Sequence, residues 1–435
     1  MENEKKTNSF TQLFRNLCKK IGDGFYWFLN HYDFWIYFLV ITALAIVVRV
    51  AMFPAVTNDY KSFLTNWYTD ILNNGFKSLG VQNANCNYTP PYLYFLWFIS
   101  LFKCEPGGSA CLNGIKIVST IFDFGCAVFA SLIVHHLTKD KLKTLLAYSL
   151  TIMGVTVILN SGWWGQCDSI YVSFLLASIY FYLVDQQRGS MIMLGIAFAF
   201  KLQSIFVLPV FIVAFLRREL KLRYIIYIPL AFIVMMLPAC FAAGSGFFIR
   251  LKSCFDVYVK QVGDSYKQMS LNAGTFYTII FANYKTSDHL EAFSIPFAIF
   301  VLGTFIYAFY KSKVKFDKNC YLKLFVFFSL LMPFILPHMH DRYYYLSDIL
   351  IVLFAIMNAK KFYVAFLAIM NSMVGYMVYL FNVVFINVVP QEKSSEDWTK
   401  AFSFRVGGIL CLSAITIIAI DIIKELFPKE LEASN

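Results

Sequence analysis

The chain has 435 residues, 59% of them hydrophobic and 14% charged, with a mean hydropathy of +0.62 and a formal charge of +11. A soluble domain carries about 25% charged residues, so this balance excludes an ordinary soluble protein and points to an all-α, polytopic membrane protein. The positive charge does not point to nucleic acid, because the Lys and Arg residues fall in short loops between apolar runs, where they set orientation across a bilayer.

Residues 1–33, with Lys5, Lys6, Arg15, Lys19 and Lys20, read as a cytoplasmic segment without a cleavable leader. A helix needs about 20 residues to cross the hydrocarbon core. The first crossing, 34–53, puts Asn58-Asp59-Tyr60 on the outer side. The stretch 89–102 is apolar but short and opens on Pro90-Pro91, so it reads as a partly embedded helix. Were it to cross, Lys139, Lys141 and Lys143 would face outward and every later basic loop would invert. As a non-crossing segment it keeps them inside with Arg188, Arg217, Arg218, Lys311, Lys313, Lys360 and Lys361, as the positive-inside rule requires.

The remaining crossings are expected near 115–136, 143–159, 169–185, 190–202, 203–216, 223–243, 295–311, 319–337, 343–359, 362–388 and 402–423. That gives about twelve transmembrane helices with both termini inside. Residues 34–423 read as a single transmembrane domain and 424–435 as a cytoplasmic tail, with outer loops 54–114 and 244–294 forming the rim of a site. The second loop is amphipathic, with Phe247, Phe248, Phe255 and Tyr258 among Arg250, Lys252 and Lys260, as in a segment lying at the interface. The ten cysteines lack metal-ligand spacing. Cys86, Cys104 and Cys111 share the first outer loop, and a Cys104–Cys111 disulfide is left open. Asn87-Tyr88-Thr89 is a glycosylation acceptor only in a eukaryotic secretory pathway.

Ionisable side chains near membrane depth are costly and by default mark function. Asp59 follows the first crossing. Asp123 interrupts an apolar run, with Arg49 or Lys201 as partner; a structural ion pair and a catalytic role stay equally open. Lys201 stands alone beside Gln203 and calls for an anion. The run 160–169 carries Trp164, Gln166 and Asp168, and a further cluster holds His338, His340, Asp341, Arg342 and Tyr343. The expected topology gathers these groups on the outer side. Phosphate suits them, because the planar fork of Arg342 binds two oxygens at once and His340 adds a donor. Trp67, Tyr68, Trp163, Trp164, Tyr343, Tyr344 and Tyr345 offer flat faces, either as an interfacial belt or as platforms for sugar rings. Tyr88-Thr89-Pro90-Pro91-Tyr92 gives a rigid turn beside Asp59 that could wall a pocket.

In this order the motifs resemble the GT-C superfamily of membrane glycosyltransferases. The likeness is nearest to the bacterial relatives of the GPI mannosyltransferases and more distant to the dolichyl-phosphate-glucose-dependent glucosyltransferases. It rests on Asn58-Asp59, Tyr88-Thr89-Pro90-Pro91, Asp123, Gly165-Gln166-Cys167-Asp168-Ser169, Lys201-Leu202-Gln203, Leu271-Asn272-Ala273 and Met339-His340-Asp341-Arg342-Tyr343. It covers about residues 40–350, and the last two helices add nothing specific to it. Asp341 stands where the family has Glu, and Thr89 interrupts the stricter Tyr-Pro-Pro element.

The resemblance implies a GT-C-like fold and an inverting hexosyltransferase, of which a mannosyltransferase is one form. It would move a monosaccharide from a polyprenyl-phosphate carrier to an extracytoplasmic glycan or glycolipid in the cell membrane, bacterial by this likeness. Asp59 and Asp168 are the expected catalytic carboxylates, and Arg342, His340, Lys201 and Gln203 the donor-phosphate ligands. The pocket would be completed by Asn58, Tyr60, Tyr88, Asp123, Gln166, Trp164, Asn272, His338, Asp341 and Tyr343. The two aspartates have oxygen donors suited to Mg2+ or Mn2+, but Lys201 and Arg342 already supply positive charge, so no metal cofactor is expected. The rival reading is a transporter or lipid-linked-sugar flippase, which intramembrane Asp123 and Lys201 would also suit.

Overall fold

Apolar runs bounded by basic turns fold into helices along the whole chain. The computed structural model describes residues 2–80, 86–242, 246–263, 268–281, 288–382 and 395–428. Positions 383–388 of one expected crossing, the loop positions 81–85, 243–245, 264–267 and 282–287, and the tail from 429 lie outside the described residues. In chain order the helices are α1 (Glu2–Met52), α2 (Thr65–Asn74), α3 (Pro90–Ser100), α4 (Ser109–Thr138), α5 (Lys141–Ile152), α6 (Val155–Ile158), α7 (Asp168–Leu183), α8 (Gln187–Phe200) and α9 (Leu208–Leu216). There follow α10 (Leu222–Ile225), α11 (Tyr227–Ala242), α12 (Phe247–Gly263), α13 (Phe276–Ile280), α14 (Asp288–Lys311), α15 (Lys318–Ile335), α16 (Tyr345–Met357), α17 (Phe362–Phe381) and α18 (Ser395–Leu426). Two short strands, β1 (Ser270–Leu271) and β2 (Met339–His340), pair in parallel, Ser270 against Met339 and Leu271 against His340.

The chain divides into two units, Met1–Val47 and Val48–Asn435. In the first, helical geometry breaks at Tyr32 (φ −114°, ψ 15°), next to the start of the apolar stretch His31–Met52. The second holds the remaining helices and every residue discussed below.

Each expected crossing is met by a helix, though not always by a long one. Among the described residues seven helices are long and apolar enough to cross a membrane, or eight if the pair Lys141–Ile152 and Val155–Trp164, bent by 44°, counts as one span. Asp168–Leu183 and Leu202–Leu216 are apolar but shorter. α3 has 11 residues behind Thr89 in extended backbone, with Pro90 and Pro91 in its first turn, where proline's missing N–H costs nothing. At about 1.5 Å per residue it is too short to cross. Large apolar side chains such as Phe300 on α14, Phe241 on α11 and Phe366 on α17 stand exposed. A helix apolar all round belongs in a core. α15 approaches that kind in its second half, with Phe325, Val326, Phe327 and Phe328 wholly buried in the same core as Leu175 and Leu176 of α7 and Leu350 of α16. The protein is all-helical and built as a membrane protein is.

Two buried cations fix the region that leads to Asp59. Arg49 donates through Nε to Asp123 Oδ2 at 2.8 Å and through Nη2 to the carbonyl of Ile152 at 2.8 Å. Ser161 Oγ also donates to Asp123 Oδ2, and the Tyr345 hydroxyl donates to Oδ1 at 2.9 Å. This is the satisfied ion pair that a buried charge requires. Lys116 of α4, wholly buried, donates to the carbonyls of Met52, Phe53 and Ala55 at 3.3, 3.0 and 2.7 Å. Those carbonyls lie at and just beyond the end of α1, where the macrodipole leaves partial negative charge, and a cation is a natural cap for them. Cys104 and Cys111 are both free thiols.

Candidate active site

Polar side chains from four parts of the chain meet around Asp59. The loop after α1 brings Asp59 itself. The turn between α6 and α7 brings Trp164, Gln166 and Asp168, and Gly165 lets it close. Its φ of +76° suits glycine, and the Gln166 N–H returns to the Asn160 carbonyl at 2.9 Å. The segment after α15 brings Arg342, and α17 brings Tyr379.

Asp59 Oδ2 accepts from Gln166 Nε2 at 2.6 Å, Trp164 Nε1 at 2.9 Å and Arg342 Nη1 at 3.4 Å, whereas Oδ1 accepts from the Tyr379 hydroxyl at 2.8 Å. Its side chain is 20% exposed. Asp168, by contrast, is wholly buried. Its Oδ1 accepts from Lys201 Nζ, its Oδ2 accepts from Asn160 Nδ2 at 3.0 Å, and Arg342 Nε stands 3.8 Å from Oδ2. The same Asn160 amide donates to the Tyr376 hydroxyl at 3.0 Å. Lys201 also sits among the rings of Tyr88, Tyr171 and Tyr343, 5.5–5.9 Å from their centroids, an arrangement that stabilises a desolvated ammonium. The lone lysine of the sequence therefore has an internal anion.

Two cavities share the lining residues Asn87, Tyr88 and Arg342. The first, of about 240 Å³, holds Asp59, Trp164, Gln166, Asn272, Asp341 and Tyr379, with Trp67 and Tyr92 among its aromatic walls. The second, of about 330 Å³, has Lys201, Gln203, His338 and Tyr343 at its polar end and Leu202, Ile205, Phe206, Ile295 and Leu336 along its sides. Glu291 also lines it, 3.8 Å from His338 Nε2.

The paired strands hold the loop at 268–273 against this wall. The His338 N–H donates to the Met269 carbonyl at 2.9 Å, and its Nδ1 lies 2.8 Å from the Gln268 carbonyl. Asn272 and His338 both adopt left-handed backbone, φ 57° and 63°, a conformation uncommon outside glycine in which Asn and His are enriched. α17 comes close here because residue 375 is glycine. A Cβ there would lie 2.5 Å from the Asn272 carbonyl oxygen and 2.7 Å from Asp341 Cβ.

The expected residues separate by position. Asp59, Trp164, Gln166, Asn272, Asp341, Tyr88 and Arg342 line the first cavity, and Lys201, Gln203, His338, Tyr343, Tyr88 and Arg342 the second. His340, expected with the phosphate ligands, lines the first cavity instead. Burial, reinforced by Arg342 and Lys201, holds its imidazole well below the ordinary histidine range, so it is neutral and brings no positive charge. Burial pushes the Asp341 carboxyl up to about 7, while Oδ1 accepts the Arg342 N–H at 2.8 Å.

Asp168 lines neither cavity and serves to hold Lys201. Asp123 is taken up by Arg49. Tyr60 is buried, its hydroxyl donating to the Gly108 carbonyl at 2.9 Å, and Asn58 is exposed; neither lines a cavity. Tyr379, Tyr376 and Lys116 are the side chains that sequence reasoning missed.

Among the described residues no group of three or more His, Cys, Asp or Glu side chains is arranged to hold a metal ion. No protein-family model matches this chain, and no curated protein matches it.

Proposed function

We propose that the protein is a multi-pass membrane glycosyltransferase of GT-C type that moves a hexose from a polyprenyl-phosphate carrier to a hydroxyl of a glycan or glycolipid. Here the site would face the extracytoplasmic side and both termini the cytoplasm, with about twelve crossings once the short helices are included. The observation that carries this reading is the position of Arg342. It borders a chamber containing a half-buried carboxylate and a chamber whose cationic end continues into apolar walls. An amphiphile with a phosphate head and an isoprenoid tail has the chemistry of the second chamber; a sugar hydroxyl has that of the first.

In the transfer, Asp59 takes the proton of the acceptor hydroxyl as its oxygen bonds to the anomeric carbon. The bond from that carbon to the phosphate oxygen breaks on the opposite face, and its electron pair stays with the lipid phosphate. Arg342 and Lys201 stabilise the charge that grows there, which lowers the barrier to the extent that they bind the transition state more tightly than the donor. Trp67, Tyr88, Tyr92 and Trp164 give the acceptor chamber aromatic walls. His340 brings no charge to this scheme, since burial holds its imidazole well below the ordinary histidine range.

The test offers purified full-length protein radiolabelled polyprenyl-phosphate mannose, glucose and galactose in liposomes. Release of polyprenyl phosphate with label passing to an alkyl hexoside supports the enzyme. Label crossing the bilayer without turnover establishes the flippase instead, and neither event with any donor overturns the reading.

A further inference from the structure

The motifs that suggested a glycosyltransferase end near residue 350, yet two side chains beyond that point reach the carboxylates. Tyr376 and Tyr379 are three residues apart and so share one face of α17. Tyr376 meets Asp168 through Asn160, and Tyr379 meets Asp59 directly. We propose that Tyr379 is the positioning residue for the Asp59 carboxylate, which makes α17 a working part of the site. The proposal rests on reading Asp59 as the base.

The argument turns on the carboxylate's lone pairs. A carboxylate offers about four acceptor positions on its two oxygens. At Asp59 three donors crowd Oδ2: Trp164, Gln166 and Arg342. Oδ1 accepts Tyr379 and has a second lone pair for the hydroxyl of an acceptor. Without the phenol, Asp59 would be held through one oxygen alone, and Oδ1 could rotate away from the acceptor.

The phenol is itself held. Its ring stacks on Trp164 with centroids 4.6 Å apart and planes 26° apart, and Trp164 donates to the other oxygen of the same carboxylate. Phenol, indole and carboxylate therefore form a closed triangle. Thr57 Oγ1 donates to the Trp164 carbonyl at 3.2 Å, and the guanidinium carbon of Arg342 lies 5.4 Å from the indole centroid. The missing Cβ at Gly375, one turn earlier on α17, lets the helix come near enough for the phenol to reach.

The test uses full-length protein in liposomes with whichever polyprenyl-phosphate hexose it turns over and an alkyl hexoside acceptor. Tyr379→Phe removes the hydroxyl and keeps the stacked ring. It is expected to melt with the wild type, keep its KM for the donor and lose roughly 10²-fold in kcat, the cost of a misplaced reacting group. Because Tyr379 acts through Asp59, Tyr379→Phe should cause no further loss on an Asp59→Asn background. Tyr379→Leu, which also removes the stack, should lose at least as much activity when assayed well below its melting temperature. Wild-type kcat in Tyr379→Phe, beside an inactive Asp59→Asn, overturns the positioning role alone. An equal loss on both backgrounds overturns it too. Full turnover in Asp59→Asn removes the base, and the proposal with it.

Discussion

The guanidinium of Arg342 stands between two carboxylates, with Nη1 3.4 Å from Asp59 and Nε 3.8 Å from Asp168. Only the Nη1 contact is a hydrogen bond, and a long one, so the fork's remaining N–H groups keep capacity for phosphate oxygens. Arg342→Lys retains the charge and loses the fork. Its affinity for polyprenyl phosphate is expected to fall about tenfold, corresponding to roughly 1.4 kcal/mol. Equilibrium binding of polyprenyl phosphate in liposomes is the measurement, and wild-type affinity in the variant would refute the assignment.

The two aspartates should behave differently when altered. Asp59→Asn is expected to melt near the wild type and lose on the order of 10²–10⁴-fold in transfer, because the amide cannot take a proton. Asp168 is wholly buried around Lys201. Lys201→Met strands that carboxylate and is expected to destabilise the fold by about 3–5 kcal/mol, as breaking one side of a buried pair does. Thermal unfolding in detergent decides the matter. A Lys201→Met protein as stable as the wild type would return Asp168 to the catalytic candidates.

Gly375→Ala is a packing test. The added methyl would press on the Asn272 carbonyl and on Asp341 Cβ, at 2.5 and 2.7 Å. Overpacking of this kind costs typically 1–3 kcal/mol. Here it should also push the α17 tyrosines away from both carboxylates. The expected result is a modest fall in melting temperature with a disproportionate loss of transfer; wild-type transfer would show that the close approach is unimportant.

Asp341 carries a pH signature. Its carboxyl titrates near 7 in the fold, because burial penalises the charged form, and near 3.9 when unfolded. Between those values the folded chain binds the extra proton, so this group's contribution to stability falls as pH rises from about 4 to 7. Asp341→Asn should flatten that part of the curve and be the more stable protein at pH 8. Melting temperatures across pH 4–8 test this, and an unchanged slope in the variant would count against it.

Topology has its own assay. Asn58, Lys141 and Lys313 are all exposed. Cysteine placed at 58, in a background lacking the other cysteines, should react with an impermeant maleimide from outside the cell, and cysteine at 141 or 313 should not. Labelling of 141 from outside would invert every later loop and place the two chambers on the cytoplasmic side.

Much of the candidate site was legible because polar groups are scarce in so apolar a chain. Asp59, Trp164, Gln166, Lys201 and Arg342 stood out for that reason, and the geometry gathers them. Tyr379 did not stand out, since it is one of 27 tyrosines and a tyrosine near a helix end reads as interface. Lys116 was passed over inside a run read as apolar apart from Asp123. His338 lines a chamber as expected, whereas His340 lies apart from Lys201 and Gln203, the phosphate ligands it was grouped with. The backbone is left-handed at His338, and the pair divides between chambers. The helices were legible in place, and α7 also in length, whereas α16 is shorter than the expected crossing 343–359 and is mostly buried among its neighbours.

The buried cations of the first and fourth helices also bear on how the chain is made. Arg49 reaches its carboxylate only once residue 123 has been synthesised, and the carbonyls of Met52, Phe53 and Ala55 gain their lysine only once residue 116 has. Until then an arginine in the leading hydrophobic helix weighs against its partition into the bilayer by as much as about 2.5–3.5 kcal/mol. The stretch of chain bearing Asp59 thus takes its final place only when Lys116 and Asp123 arrive beside residues 49–55.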